Sequence, residues 1–247
     1  MSGHSKWATI KHKKGALDAK RGQVFTKIIK EISVAARMGG GDAEANPRLR
    51  NALLKARAAN MPKDNIDRAV KKGTGELEGV TYSEITYEGY APGGVALLVE
   101  VLTDNRNRTA AEIRNILAKG GGNLGAAGSV ARMFRRKGII SLEASKHSED
   151  DVMAVVLDAG AEDVTTEGDI VEVTTPPEAF EAVLKAVEAA KMERTMAEIS
   201  MVPETTMTLS HDETRKVLRL IDALEDNDDV QSVSSNLDIP KGFALDE

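Results

Sequence analysis

The residues with the clearest chemical purpose are cations crowded toward one end of the chain. Lys6, Lys11, Lys13, Lys14, Lys20 and Arg21, with His12 among them, run past a single acid, Asp18. A nucleic-acid backbone carries closely spaced, mutually repelling phosphates. A run of this kind neutralises them and releases their counterions. The competing reading is a solvated tail. Trp7 adds one ring, suited either to stacking on a base or to anchoring the arm on whatever follows it. Further along, Lys27, Lys30, Arg48, Arg50, Lys55 and Arg57 extend the basic character into segments with helical periodicity. A separate constellation, TDNRNRT at residues 103–109, places Arg106 and Arg108 between an apolar run and a helical pattern. Two arginines before a helix N-terminus suit phosphate. The same segment also reads as a capping turn with Asp104 or Asn107 as the cap. These cations, with Trp7 and His12, are the candidate nucleic-acid contacts.

The charge distribution supports that choice. The 247-residue chain carries a net charge of -6, which taken alone argues against polyanions. Residues 1–72, however, hold 17 Lys+Arg against 6 Asp+Glu, a net of +11, while the remainder holds 16 against 33, a net of -17. One end attracts polyanions and the other repels them.

Catalytic chemistry finds little to work with. There is no cysteine, so disulfides, thiol catalysis and cysteine-ligated zinc are excluded, and a reducing cytoplasmic setting fits. His4, His12, His147 and His211 have no metal-ligand spacing. Gly120, Gly122 and Gly125 satisfy G-x-G-x-x-G, but the pattern follows a helical segment rather than a strand, so it is read as a hinge or an RNA-approaching loop, not a dinucleotide site. The acidic runs at Glu149–Asp151 and Glu225–Asp229 read as solvated faces and helix ends. The expectation is a protein that is not an enzyme, with no cofactor, no metal site, no small-molecule substrate and no membrane span.

The elements that would position these residues follow from apolar spacing. The stretch through Gly22 lacks periodicity and reads as an arm. From Gln23 to Met38, Val24, Phe25, Ile28, Ile29, Ile32, Ala35 and Ala36 form one helical face, with Lys20, Lys27, Lys30 and Arg37 on the other. A second helix is predicted from Asn46-Pro47 and a third from Pro62 to Gly73, giving a small bundle. Alternating segments at 80–88 and 95–103 read as strands, followed by a helix over 108–119. From Gly138 the pattern becomes β-α-β-β-α-β, that of a ferredoxin-like unit. The remaining strand, helix and strand are too few to stand alone and are predicted to complete the sheet begun at Val80. The predicted fold class is therefore α+β in three domains. They are a basic arm and helical bundle (1–78), a discontinuous middle α/β domain (79–137 with 204–247), and an inserted ferredoxin-like domain (138–203).

Several long segments also carry a resemblance. GHSKW at 3–7, KHKKGALDAKRG at 11–22, KARAANMPKDNIDRAVKKG at 55–73, EGYAPGGVA at 88–96, LTDNRNRT at 102–109 and GGNLGAAGSVARMF at 121–134 together resemble the YebC/PmpR family. The resemblance spans essentially the whole chain. It implies a three-domain α/β fold with a helical N-terminal domain and an inserted ferredoxin-like domain, and no catalytic activity. Bacterial members of that family are described as transcriptional regulators that bind DNA. The mitochondrial relatives, among them a translational activator of cytochrome c oxidase I, and some bacterial ones are associated with translation on the ribosome. The start at GHSKW without a preceding extension suggests a bacterial cytoplasmic member. The two expectations are therefore a DNA-binding transcriptional regulator, or a ribosome-associated factor contacting ribosomal RNA or tRNA. Oligomeric state is not specified by any of these patterns.

Overall fold

A computed structural model of the chain describes residues 21–240 and 242–243. Helix α1 (Arg21–Gly39) packs against α2 (Pro47–Ala58) and α3 (Lys63–Thr74). Their shared core is Ile32, Ala35, Ala36, Leu49, Ala52, Ala56, Met61 and Ala69, with Phe25, Ile28, Ile29 and Ile66 at its margin. This is the face predicted from periodicity except at Val24, which lies outside the core and is 42% exposed. The α1–α2 turn is fixed by Asn46. Its Oδ1 accepts the Leu49 amide at 3.1 Å to cap α2, while its Nδ2 donates to the Ala35 and Gly40 carbonyls, each at 2.8 Å. One side chain thereby satisfies orphan groups at the end of one helix and the start of the next.

Helix α3 continues one residue past Gly73, the predicted stop, and ends where Gly75 adopts φ +85. Gly73 serves packing instead. A Cβ there would lie 2.4 Å from the Ser33 carbonyl oxygen of α1.

The exposed segment 75–81 leads to a four-stranded sheet of order β3-β1-β2-β9, built from β1 (Ser83–Tyr90), β2 (Ala96–Thr103), β3 (Asn123–Leu124) and β9 (Val230–Ser235). All its pairings are antiparallel. Helices α4 (Arg106–Lys119) and α7 (His211–Glu225) cover one face, burying Leu97, Val99 and Val101 against Ile113, Leu117, Leu218 and Leu224. On the other face Ala96 and Leu98 meet Val130, Phe134 and Met201. β2 is therefore apolar at nearly every position rather than alternating, as a doubly covered strand requires. β9 returns from residue 230 to pair with β2, so the sheet is discontinuous in sequence, and the chain between builds a second sheet.

That second sheet has the order β5-β6-β4-β7, from β4 (Phe134–Glu143), β5 (Asp163–Glu167), β6 (Ile170–Thr175) and β7 (Arg194–Pro203). Helices α5 (Glu149–Val156) and α6 (Phe180–Ala189) pack on it around Ile140, Leu142, Val171, Val173, Val183 and Val187. The β-α-β-β-α-β order with every pairing antiparallel is the ferredoxin-like arrangement. β4 begins at Phe134, ahead of the predicted start at Gly138. Its first residues pair with β7, so Phe134 belongs to the apolar contact between the two sheets. Two short parallel strands, β8 (Met207–Thr208) and β10 (Leu237–Asp238), complete the α+β fold.

The glycine-rich segment at 120–128 is held rather than free. Its Asn123 and Leu124 pair with Tyr90 and Gly89. The buried Glu88 carboxylate accepts the amides of Gly128, Val130 and Ala131 at 2.6, 2.7 and 2.8 Å. Burial pushes the Glu88 carboxyl up, and these three donors more than offset it, holding the group below the ordinary carboxylate range. The loop thus closes over a fixed anion instead of presenting a mobile backbone.

Two substitutions test these contacts. Gly73→Ala gains about 1 kcal/mol of helix propensity, but the clash with the Ser33 carbonyl outweighs it. Chemical denaturation is expected to show a net loss of about 1 kcal/mol or more. Glu88→Gln replaces one acceptor oxygen by an amide that faces backbone N–H groups, and the same measurement should show a loss of about 1–3 kcal/mol.

Candidate nucleic-acid interface

The first consequence of the fold for the candidate cations is that α1 is covered on two sides. One face is the bundle core. The other, lined by Gln23, Lys27 and Lys30 at helical spacing, meets the sheet-bearing body. Gln23 donates to the Asp226 carbonyl at 3.2 Å and the Lys27 ammonium to the Glu225 carbonyl at 2.5 Å. Lys30, placed by periodicity on a solvent face, is only 7% exposed. Its Nζ donates to Asp229 Oδ1 at 2.6 Å and to the Asp228 carbonyl at 2.9 Å, and lies 5.6 Å from the centre of the Tyr82 ring. Periodicity identifies the polar side of a helix. It does not reveal what docks there.

The other oxygen of Asp229 gathers the TDNRNRT segment. Asp229 Oδ2 accepts Thr109 Oγ1 at 2.6 Å, Arg108 Nη2 at 2.7 Å and Thr103 Oγ1 at 3.1 Å. Arg108 Nη2 also reaches Asp104 Oδ1 at 2.9 Å. The cap of α4 is Asn105, whose Oδ1 accepts the Arg108 amide at 3.1 Å, rather than either neighbour the sequence suggested. Backbone conformation at Asn105 decides among three adjacent candidates, and composition does not contain it. Arg108 therefore pairs with an internal carboxylate, while Arg106 remains exposed with its carbonyl facing the Tyr87 hydroxyl at 3.4 Å.

Asp229 is 4% exposed. Burial alone would raise its pKa. Hydrogen bonds from Lys30, Thr109 and Arg108 overcome that and hold the carboxyl far below its ordinary range. The Arg108 guanidinium is correspondingly raised, first by its bond to Asp229 and then by Asp104.

On α2 the arginines are also engaged. Arg48 forks onto Glu31 of α1, with Nε–Oε1 at 2.7 Å and Nη2–Oε2 at 3.0 Å, and pairs with Glu84 of β1. Arg50 forks onto Glu181 of α6, with Nε–Oε1 at 2.6 Å and Nη2–Oε2 at 2.8 Å, and also donates to the Ala43 and Glu44 carbonyls. Lys55 is exposed, with Glu198 of β7 at 3.9 Å. Arg57 is exposed, and Arg21 rests over the Phe25 ring at 5.4 Å. Lys6, Trp7, Lys11, His12, Lys13, Lys14 and Lys20 lie outside the described residues.

A set not singled out as contacts by the sequence reading is now visible. Lys63, Arg68, Lys71 and Lys72 of α3 are exposed, as is Arg37 at the end of α1. None of them pairs with a carboxylate among the described residues. Arg68, Lys71 and Lys72 share one helical face. Their signal lay in the motif KDNIDRAVKKG and in the +11 count, which includes them. Among the described residues no group of three or more His, Asp or Glu is placed to hold a metal ion, and no helix is long and apolar enough to cross a membrane.

Removing the Asp229 charge should be costly, because Lys30 would be left buried without its partner. Asp229→Asn is expected to lose about 3 kcal/mol or more in denaturant titrations at pH 7. The folded pKa is depressed, so this stabilisation is present above the unfolded value near ~3.9 and fades as pH falls below it. At pH 3 the difference between wild type and variant should narrow by about 1 kcal/mol.

Comparison with other proteins places this geometry in a family. Residues 5–76 match the family model described as the TACO1/YebC protein N-terminal domain, and residues 82–237 match the TACO1/YebC second and third domain. A relative from Treponema denticola, named a probable transcriptional regulatory protein, is 64% identical over 247 residues, covering 100% of each chain. Another with that name, from Desulforapulum autotrophicum, is 61% identical over 240 residues and 97% of each chain. The crystal structure of a conserved hypothetical protein from Aquifex aeolicus superposes with a TM-score of 0.86 at 46% identity, covering 98% of this chain and 100% of that one. With both family models matched in order along nearly its whole length, the chain belongs to the YebC/PmpR family.

Proposed function

We propose that this protein is a non-enzymatic, cytoplasmic regulator of gene expression that binds nucleic acid through its helical end, with DNA as the target in transcriptional control. The observation that carries this reading is the segregation of charge. A unit of net +11 is joined to a body of net -17, and its α3 presents cations that pair with no carboxylate among the described residues. Such a surface neutralises phosphates and gains affinity by counterion release. The names of the relatives from Treponema and Desulforapulum, probable transcriptional regulatory proteins, point the same way. Two of the buried carboxylates argue against catalysis, since Asp229 and Glu88 are each saturated by donors and held ionised, leaving neither free to shuttle a proton.

A ribosome-associated role, with contacts to ribosomal RNA or tRNA, is the second reading. It is favoured by the character of α3, whose exposed surface interleaves Asp64 and Asp67 with Lys63, Arg68 and Lys71. That mixture suits backbone and shape contacts better than base readout in a major groove.

Crosslinking in cells followed by sequencing of the bound nucleic acid separates the two. Discrete promoter fragments are expected for the first reading, and ribosomal RNA or tRNA would replace it with the second. In vitro, Arg68→Glu, Lys71→Glu and Lys72→Glu combined should weaken binding to duplex DNA. They should also flatten the log-log salt dependence by up to about 3, roughly 0.9 for each lost phosphate contact. Reversal of Lys13, Lys14, Lys20 and Arg21 to Glu is expected to abolish binding with the fold retained by circular dichroism.

A further inference from the structure

The cations of the helical unit divide into two sets. Those on α3 face solvent, whereas Lys30, Arg48, Arg50 and Lys55 meet carboxylates contributed by the body. The four acids come from four separate places: Asp229 just before β9, Glu84 on β1, Glu181 on α6 and Glu198 on β7. They converge on one side of one small bundle. The Arg50–Glu181 pair is a two-pronged fork, the geometry with which arginine also takes a phosphate.

The seam between bundle and body is polar in character. The bundle core consists wholly of bundle residues, and the sheet core wholly of body residues. Across the seam run the Lys30–Asp229 pair, the three more accessible ion pairs, and the bonds of Gln23 and Lys27 to the Asp226 and Glu225 carbonyls. The chain connection is the exposed segment 75–81, which opens with Gly75 in the left-handed region and includes Gly79. A contact built from charges and joined by such a segment yields to a competing polyanion more readily than one built from buried apolar surface.

We propose that the acidic body is an intramolecular competitor for nucleic acid, with Glu84, Glu181, Glu198 and Asp229 occupying Arg48, Arg50, Lys55 and Lys30, so that the full basic face becomes available only when the bundle parts from the body. This deepens the nucleic-acid reading and rests on it. The arm and α3 make the first contact, and the accumulated phosphate charge then displaces the body's carboxylates. Binding and opening are therefore coupled, each favouring the other by the same factor.

The test leaves Asp229 intact, since its loss endangers the fold, and neutralises the three partly exposed acids as Glu84→Gln, Glu181→Gln and Glu198→Gln. A control of equal charge change uses exposed acids of the ferredoxin-like unit, Asp150→Asn, Asp158→Asn and Asp163→Asn. Affinity for a fluorescein-labelled 24-base-pair DNA and for a 24-nucleotide RNA is read by anisotropy between ~50 and 300 mM salt. The seam variant should bind several-fold more tightly than the control, with a log-log salt slope steeper by about 2 as Arg50 and Lys55 regain phosphate contacts while Arg48 stays forked on Glu31. Because the chain has no cysteine, a dye pair at the exposed positions Ala58→Cys and Arg219→Cys reports bundle-to-body separation, which should increase in the seam variant and on DNA addition to the labelled parent. A seam variant that binds no more tightly than the control, or an unchanged separation, overturns the masking while leaving the binding reading in place. Absence of polyanion binding in every variant at 50 mM salt overturns both.

Discussion

A single buried carboxylate sets the arrangement of this protein. Asp229 sits where the chain returns from the ferredoxin-like unit to complete the first sheet, and its two oxygens face different partners. Oδ1 takes the ammonium of Lys30 from the bundle, while Oδ2 takes Arg108, Thr109 and Thr103 from the β2–α4 junction. A buried charge with fewer partners would be expelled or neutralised. Satisfied from both sides, it ties together three segments far apart in the chain, at residues 30, 103–109 and 229. The orientation of the bundle on the body follows from where Lys30 must sit to reach it. The net free energy of such a cluster relative to apolar packing is small, because desolvation offsets the attraction. What it contributes is selectivity for one docking geometry over others.

The same cluster explains why TDNRNRT is dense in polar residues. Thr103 and Thr109 contribute hydroxyls that are fully buried, Asn105 caps the helix, and Arg108 bridges Asp104 and Asp229. Only Arg106 and Asn107 are left without a structural duty visible in this network. Polar convergence at a strand end looked like a ligand site, and here the ligand is the protein's own aspartate.

The sequence made the regular elements legible where apolar spacing is strong. The bundle core and the β-α-β-β-α-β order can be read from which positions are apolar and at what period, whereas β2, read as an alternating strand, is covered on both faces. Helix ends were less legible. Gly73 was taken as a stop because glycine terminates helices, yet its missing side chain serves the close approach of α1 and α3, and Gly75 supplies the positive φ. The charge asymmetry was legible by counting. The fate of individual cations was not, because Lys30, Arg48 and Arg50 differ from Lys71 and Lys72 only in what lies opposite them. Their partners, Asp229, Glu84 and Glu181, are distant in sequence and look like ordinary solvated acids.

That limit bears on how the two charge blocks should be understood together. A basic end and an acidic body on one chain attract each other, and at physiological ionic strength charges within about 8 Å are not screened apart. Some of the basic surface is therefore committed internally before any nucleic acid arrives. The remainder on α3 stays accessible to solvent. A smaller number of unpaired cations lowers the attraction to arbitrary polyanions. Net charge alone would have assigned every lysine and arginine of the bundle to the target. The ion pairs across the seam show which of them the acidic body already occupies.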